Sequence, residues 1–171
     1  MPISRLNHAV FWVRDARVSA AFYRDVLEFD IAKIDDEGGR FAFLTAPGSQ
    51  NDHDLALFGR GPGAGGPTAG PEGGAAETVG VYHVAWEVPT LADLVDVGRR
   101  LAEAGSLVGQ SDHGVSKSLY AKDPDGLEFE VMWAVPPELL ADGDNDAQTL
   151  PLDISAELER YGADRRGHAW M

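Results

Sequence analysis

The 171-residue chain contains no cysteine. Disulfides, thiolate metal sites and a cysteine nucleophile are thereby excluded. Cations are scarce: 14 Lys and Arg stand against 28 Asp and Glu, for a formal charge of −14. Nucleic acid and anionic membrane surfaces both need a basic footprint, so neither is expected as a partner. An anionic ligand would need a local cation, and a bound metal is one candidate. Long apolar runs are missing as well, with no stretch approaching the roughly 20 residues of a membrane span. The start, MPISRLNHAVFWV, lacks the basic region, long apolar stretch and small-residue cleavage site of a signal peptide. A cytoplasmic location is the expectation. What remains is ordinary for a folded protein: 44% hydrophobic residues in a chain long enough to bury a core.

The chain repeats itself weakly. LNHAVFWV (Leu6 to Val13) and VYHVAWEV (Val81 to Val88) each place a His third in a short apolar, aromatic run that reads as a strand. A helical pattern follows each. The first covers Ala16 to Leu27, with Val18, Ala21, Phe22 and Val26 at helical spacing. The second covers Leu91 to Ala104, with Leu94, Val97 and Leu101, and Gly105 is its stop. Strand patterns come next: Arg40 to Ala46 and Asp54 to Phe58 in the first copy, Ser118 to Lys122 and Leu127 to Trp133 in the second. Pro47 lies 39 residues after His8, and Pro124 lies 41 after His83. Both copies therefore read as β-α-β-β-β. The predicted boundaries are module 1 at about 4–58, a glycine-rich linker at 59–77 and module 2 at about 79–135. Residues 136–171 form a C-terminal extension with a short helix from about Asp153 to Tyr161 and a tail beyond it.

His8 and His83 occupy matching points of the repeat. Side chains alternate along a strand, so His8 shares a face with Val10 and Trp12, and His83 with Ala85 and Glu87. A single His of this kind is more often a hydrogen-bonded core or edge residue. Two at equivalent points of a pseudo-symmetric repeat point to metal ligation, since imidazole is the commonest nitrogen ligand of divalent metals. A facial site needs an anionic third ligand. LEFEVMW carries Glu128 and Glu130 on one strand face, and periodicity does not choose between them. Glu130 lies 47 residues after His83, and the same offset from His8 lands on Leu55, with Asp54 and Ala56 one residue away. The expected set is thus two His and one carboxylate. Its open positions suit non-haem Fe(II) oxygenases.

The stretch DHGVSKSLYAKDPDGLEFE (Asp112 to Glu130) resembles the signature of extradiol, catechol-cleaving dioxygenases in the vicinal oxygen chelate (glyoxalase/bleomycin resistance/extradiol dioxygenase) superfamily. In that signature a His, an apolar residue with Tyr, and Asp-Pro-x-Gly precede a Glu ligand ten residues after the Tyr. These positions are His113, Leu119-Tyr120, Asp123 to Gly126, and Glu130. The His8 and His83 strands resemble the family's two His-bearing strands, and HDLALF is similar to the strand carrying an acid–base His, here His53. Many members have a further His nine residues before the Tyr. Ser111 occupies that position here, and His113 stands seven before.

The resemblance implies an α+β fold with two tandem βαβββ modules forming a curved, partly open β-barrel around a metal site. It implies ligation by His8, His83 and Glu130 of Fe(II), with Mn(II) or another divalent ion as the alternative. His53, Tyr120 and His113 are the implied catalytic residues, acting on a small aromatic diol and dioxygen in a homodimer. Trp12, Phe43, Leu55 and Trp86 are the candidate apolar walls. Two other functions compete: a glyoxalase-like lyase or isomerase, which wants a second carboxylate from the first repeat, and a non-catalytic drug-binding resistance protein, which needs no triad.

Overall fold

The computed structural model describes residues 2–67, 80–146 and 148–168. The βαβββ order is present twice. The first copy comprises β1 (Ala9–Val13), α1 (Ala16–Leu27), β2 (Asp30–Ile34), β3 (Phe41–Thr45) and β4 (Leu55–Gly59). The second comprises β5 (Val84–Glu87), α2 (Leu91–Glu103), β6 (Leu107–Asp112), β7 (Ser116–Lys122) and β8 (Glu128–Ala134). Each copy makes its own open four-stranded sheet, ordered β1-β4-β3-β2 and β5-β8-β7-β6. The first strand of each copy runs parallel to the last, and the remaining pairs are antiparallel. The chain divides into two compact units, Met1–Ala75 with Asp123–Leu127 and Ala76–Lys122 with Glu128–Met171.

Local chemistry explains the helix ends. The Asp15 carboxylate accepts the Arg17 N–H at 2.9 Å and caps α1. Thr90 and Asp93 form a reciprocal capping box at the start of α2. Gly105, at φ +68°, follows α2 as the sequence suggests. The apolar stripe of α1 covers Ala42, Leu44, Leu55 and Leu57, all essentially inaccessible. That of α2 packs Leu91, Leu94 and Leu101 toward Leu119, Phe129 and Val131. Each fully buried leucine side chain contributes about 2 kcal/mol. The copies match down to irregularities, with a β-bulge between Ile31 and Lys33 in the first and between Leu107 and Gly109 in the second.

The Asp123-Pro124-Asp125-Gly126 turn joins β7 to β8. Asp123 Oδ1 accepts the N–H groups of Asp125 and Leu127, both at 2.9 Å. Asp125 accepts from the Arg14 guanidinium at 2.8 Å and the Ser19 hydroxyl at 3.1 Å, at the start of α1. Burial pushes the Asp123 carboxyl up to about 6; the Leu127 and Asp125 donors oppose that rise and the Asp125 charge adds to it.

After β8 the chain makes a short 3₁₀ turn (Pro137–Leu139) and then α3 (Ile154–Tyr161), capped by Asp153. The fully buried Lys117 ammonium pairs with Asp112 at 2.5 Å and with Glu157 of α3 at 3.2 Å. The segment read as a tail is in fact pinned: Gly167 N–H donates to Pro89 O at 2.9 Å and His168 N–H to Ala134 O at 3.0 Å. Most of the glycine-rich linker, from residue 68 onward, lies outside the described residues. Among the described residues no helix is long and apolar enough to cross a membrane.

Asp123 binds its proton more tightly in the folded chain than in the unfolded one. Its share of stability therefore grows as pH falls through 6 and is absent well above it. Acidifying from pH 7 to 5 is expected to yield about 1 kcal/mol from this group. Asp123→Asn keeps the Oδ1 acceptor but has no proton to bind, so it should lose that increment. Urea unfolding of both proteins at the two pH values measures it.

Candidate functional site

In the second sheet, cross-strand register sets Ala85 of β5, Glu130 of β8 and Tyr120 of β7 in one row on one face. His83 lies two residues before Ala85, immediately ahead of β5 rather than within it, and shares that face. Its Nε2 stands 3.0 Å from Glu130 Oε2. Periodicity did not distinguish the two glutamates of β8, and their neighbours do. Glu130 is the carboxylate beside His83, whereas Glu128 hydrogen-bonds the Tyr82 hydroxyl, raising that phenol's pKa together with burial. Glu130 is only 8% exposed. A carboxylate so buried is costly unless compensated, and here an imidazole faces it. Tyr120 lies beside His83, ring centroids 5.8 Å apart, and its hydroxyl meets His113 Nε2 at 2.7 Å. Burial, and next the Glu130 charge, push the Tyr120 phenol up to about 12, while a hydrogen bond from Ser118 opposes the rise.

The first sheet repeats this frame with other side chains. Val10 of β1 pairs with Ala56 of β4, and Phe43 of β3 pairs with the same Ala56. Ala56 is thus the counterpart of Glu130, and Phe43 that of Tyr120. His8 precedes β1 as His83 precedes β5. It stacks near His53, centroids 4.6 Å apart, and His53 packs edge-on to Phe43 at 5.1 Å. His8 Nδ1 meets Asn7 Oδ1 at 2.8 Å, and His53 Nδ1 meets Asp52 Oδ2 at 2.8 Å. The Asn7 amide is oriented by Asn51, to whose Oδ1 its Nδ2 donates at 3.1 Å. Both acceptors are oxygens, so the neutral form of each ring carries its proton on Nδ1 and has Nε2 as the acceptor. The His53 hydrogen bond holds the Asp52 carboxyl below the usual carboxylate range.

Asp54, the other first-repeat carboxylate near the offset from His8, is fully engaged. It accepts from Ala46 N–H at 2.8 Å, Ser49 Oγ at 2.9 Å and Asn51 Nδ2 at 2.6 Å. Two candidate walls need correction. Leu55 is wholly buried in the row facing α1, and Trp86 pairs with Val131 in the row opposite to Ala85 and Glu130. Strand parity turns both away from the site faces. Sequence reasoning also missed Gln148, whose carbonyl contacts His113 Nδ1 at 2.7 Å; a backbone acceptor leaves no mark in a sequence.

The structure thus brings His83 to Glu130, His8 to His53, and His113 to Tyr120. The first and last pairs belong to one compact unit and the middle pair to the other. Among the described residues no three His, Asp or Glu side chains form a group that could hold a metal ion. The pair His83–Glu130 nevertheless fits one. Two ligands at right angles about an ion, each about 2.1 Å from it, stand about 3.0 Å apart, which matches the observed separation.

A model of the Glyoxalase/Bleomycin resistance protein/Dioxygenase superfamily matches residues 5–131. The catechol-2,3-dioxygenase of Bacillus subtilis is 32% identical over 167 residues, which are 95% of this chain and 54% of that protein. The biphenyl-2,3-diol 1,2-dioxygenase 3 of Rhodococcus globerulus is 37% identical over 128 residues, 74% of this chain and 62% of that protein. The chain thus spans about half to three fifths of these relatives' lengths. A glyoxylase/bleomycin resistance protein/dioxygenase domain from Frankia sp. EAN1pec shares the fold with a TM-score of 0.62 at 22% identity, covering 78% of this chain and 99% of that one.

Glu130→Gln keeps an acceptor for His83 Nε2–H and removes the anionic donor. It is expected to fold and to weaken Mn(II) or Zn(II) binding more than about tenfold. Calorimetric titration of metal into both proteins checks this.

Proposed function

Because the chain belongs to the glyoxalase/bleomycin resistance protein/dioxygenase superfamily, we propose that it is an Fe(II)-dependent extradiol dioxygenase that opens a catechol-like ring. The observation that carries the proposal is Ala56. At the counterpart of Glu130 the first repeat offers a methyl group, and neighbouring Asp54 is consumed by its own loop. The ligand set is therefore His8, His83 and Glu130, two imidazoles and one carboxylate. An isomerase wants a second carboxylate from the first repeat, and among the described residues none is free at that position. Fe(II) suits this set, and Mn(II) would also be accepted. The two dioxygenase relatives support the same reading.

When bound, the ion supplies Lewis acidity and a common meeting point for the two diol oxygens and dioxygen. The protein's own groups supply the proton chemistry. His53, with Nδ1–H donated to Asp52, presents Nε2 as the base that takes a proton from the substrate and returns it. Phe43 fixes the His53 ring from the side. Tyr120 binds a substrate oxygen, and His113 orients Tyr120. His8 and His83 hold the position of the ion, with Asn7 fixing the His8 ring. The proposal includes a homodimer, for which Ile3 and Leu6, exposed ahead of β1, offer an apolar surface.

The protein loaded anaerobically with Fe(II) and then given catechol in air should form a yellow ring-opened product. His53→Asn should lower kcat by about 100- to 10,000-fold while leaving catechol binding nearly intact. Inertness toward a series of substituted catechols, together with turnover of a hemithioacetal, would overturn the dioxygenase reading.

A further inference from the structure

We infer that the C-terminal segment is a positioning element of the site: the Gln148 carbonyl holds His113 in its Nδ1–H tautomer, which turns Tyr120 into an acceptor for a ligand that brings its own proton. The contact of His113 Nδ1 with Gln148 O is 2.7 Å. A carbonyl only accepts, so a bare Nδ1 at that distance would oppose two lone pairs. The Thr149 hydroxyl, the other polar group near Nδ1, is 3.5 Å away and cannot dictate the tautomer. In a neutral ring Nε2 is then an acceptor, and the Tyr120 hydroxyl at 2.7 Å must donate to it. The phenol proton is committed to His113. The remaining capacity of the phenol oxygen is to accept.

The segment is built to hold this contact. Asp112 N–H donates to Leu150 O at 2.8 Å and Leu150 N–H to Asp112 O at 2.9 Å, a two-bond bridge adjoining His113. Gln110 Nε2 donates to Leu152 O at 3.0 Å. The segment lies beyond residues 5–131, the part matched by the family model.

The consequence is a ligand class. On the face shared with His83 and Glu130, Tyr120 recognises a hydroxyl that still carries its hydrogen. This ligand class rests on the dioxygenase reading, whereas the tautomer does not.

The test is a nitrogen-15 spectrum of the full chain, histidine-labelled and loaded with Zn(II), near neutral pH. His113 is assigned by the signals missing from a His113→Asn variant, or by variants of the other four histidines if that one does not fold. The expected result is a protonated-type Nδ1 and an unprotonated-type Nε2, unchanged in Tyr120→Phe. In Leu150→Pro, which removes one bond of the bridge, the single tautomer should give way to a mixture with the overall fold retained. Protonation at Nε2 in the wild type, or a single tautomer surviving in Leu150→Pro, overturns the inference. Catechol titrated into the same Zn(II) protein should bind about tenfold more weakly to Tyr120→Phe. Absence of catechol binding with the tautomer as expected counts against the dioxygenase reading and the ligand class, and upholds the positioning role of the segment.

Discussion

A carboxylate set into a nearly closed sheet face must be compensated, and the pairing of Glu130 with His83 meets that requirement. The rest of the second sheet is arranged so that this pair can exist. Along β8 the residues alternate, sending Phe129, Val131 and Trp133 to the core and Glu130 to the opposite face. A slip of one residue would put Glu130 under α2 and Phe129 beside His83. The turn at Asp123 to Gly126 prevents that slip. Asp123 clamps the N–H groups of Asp125 and Leu127, and Gly126 takes a φ of +86° that a side chain would resist. The Asp-Pro-x-Gly turn of the signature motif therefore contributes no group to the candidate site. It sets the register that delivers the Glu.

The two repeats share one frame and furnish it differently. Phe43 stands where Tyr120 stands, Ala56 where Glu130 stands, and both copies place a His just ahead of their first strand. The first copy invests its polar groups in orienting imidazoles. Asp54 holds Asn51, Asn51 holds Asn7, and Asn7 holds His8, so a chain of hydrogen bonds ends at one ring nitrogen. The second copy invests in a charge. Counting from His8 leaves Asp54, Leu55 and Ala56, of which only Asp54 could bind a metal, and the register puts Ala56 at the counterpart of Glu130.

Both long helices were legible in extent: α1 runs from Ala16 to Leu27 as its pattern predicts, and α2 stops one residue short of its predicted end. The buried face of α1 was not, because Val18 of the predicted stripe is exposed while Ser19, Ala20 and Tyr23 are buried. β2 and β6 were not legible residue by residue. DIAKI and LVGQSD are edge strands with a bulge, half exposed, and so they lack clean alternation. At the candidate site His8 and His83 were legible from their matching places in the repeat, and Tyr120 and Glu130 from the signature they resemble. The walls were not, because Leu55 and Trp86 sit one residue out of phase and an apolar residue suits either face of a strand. The hold on His113 was invisible for a different reason: it comes from a main-chain carbonyl 35 residues away.

That hold cannot be a local accident, because the turn carrying His113 is fixed from several directions at once. The Asp112 carboxylate accepts the Gly114 N–H at 2.7 Å and the Lys117 ammonium at 2.5 Å, while its backbone bridges to Leu150. Lys117 is wholly buried, and Glu157 of α3 is its second carboxylate. Moving α3 away would leave that buried ammonium with Asp112 alone. At Gly114, with φ +75°, a β-carbon would lie 2.3 Å from Asp144 O, so the chain past β8 approaches closer than any side chain would permit. The docking of the extension is thus enforced by buried charge and by close backbone contact. The orientation of the His113 ring follows from that docking, and the direction in which the Tyr120 hydroxyl points follows from the ring.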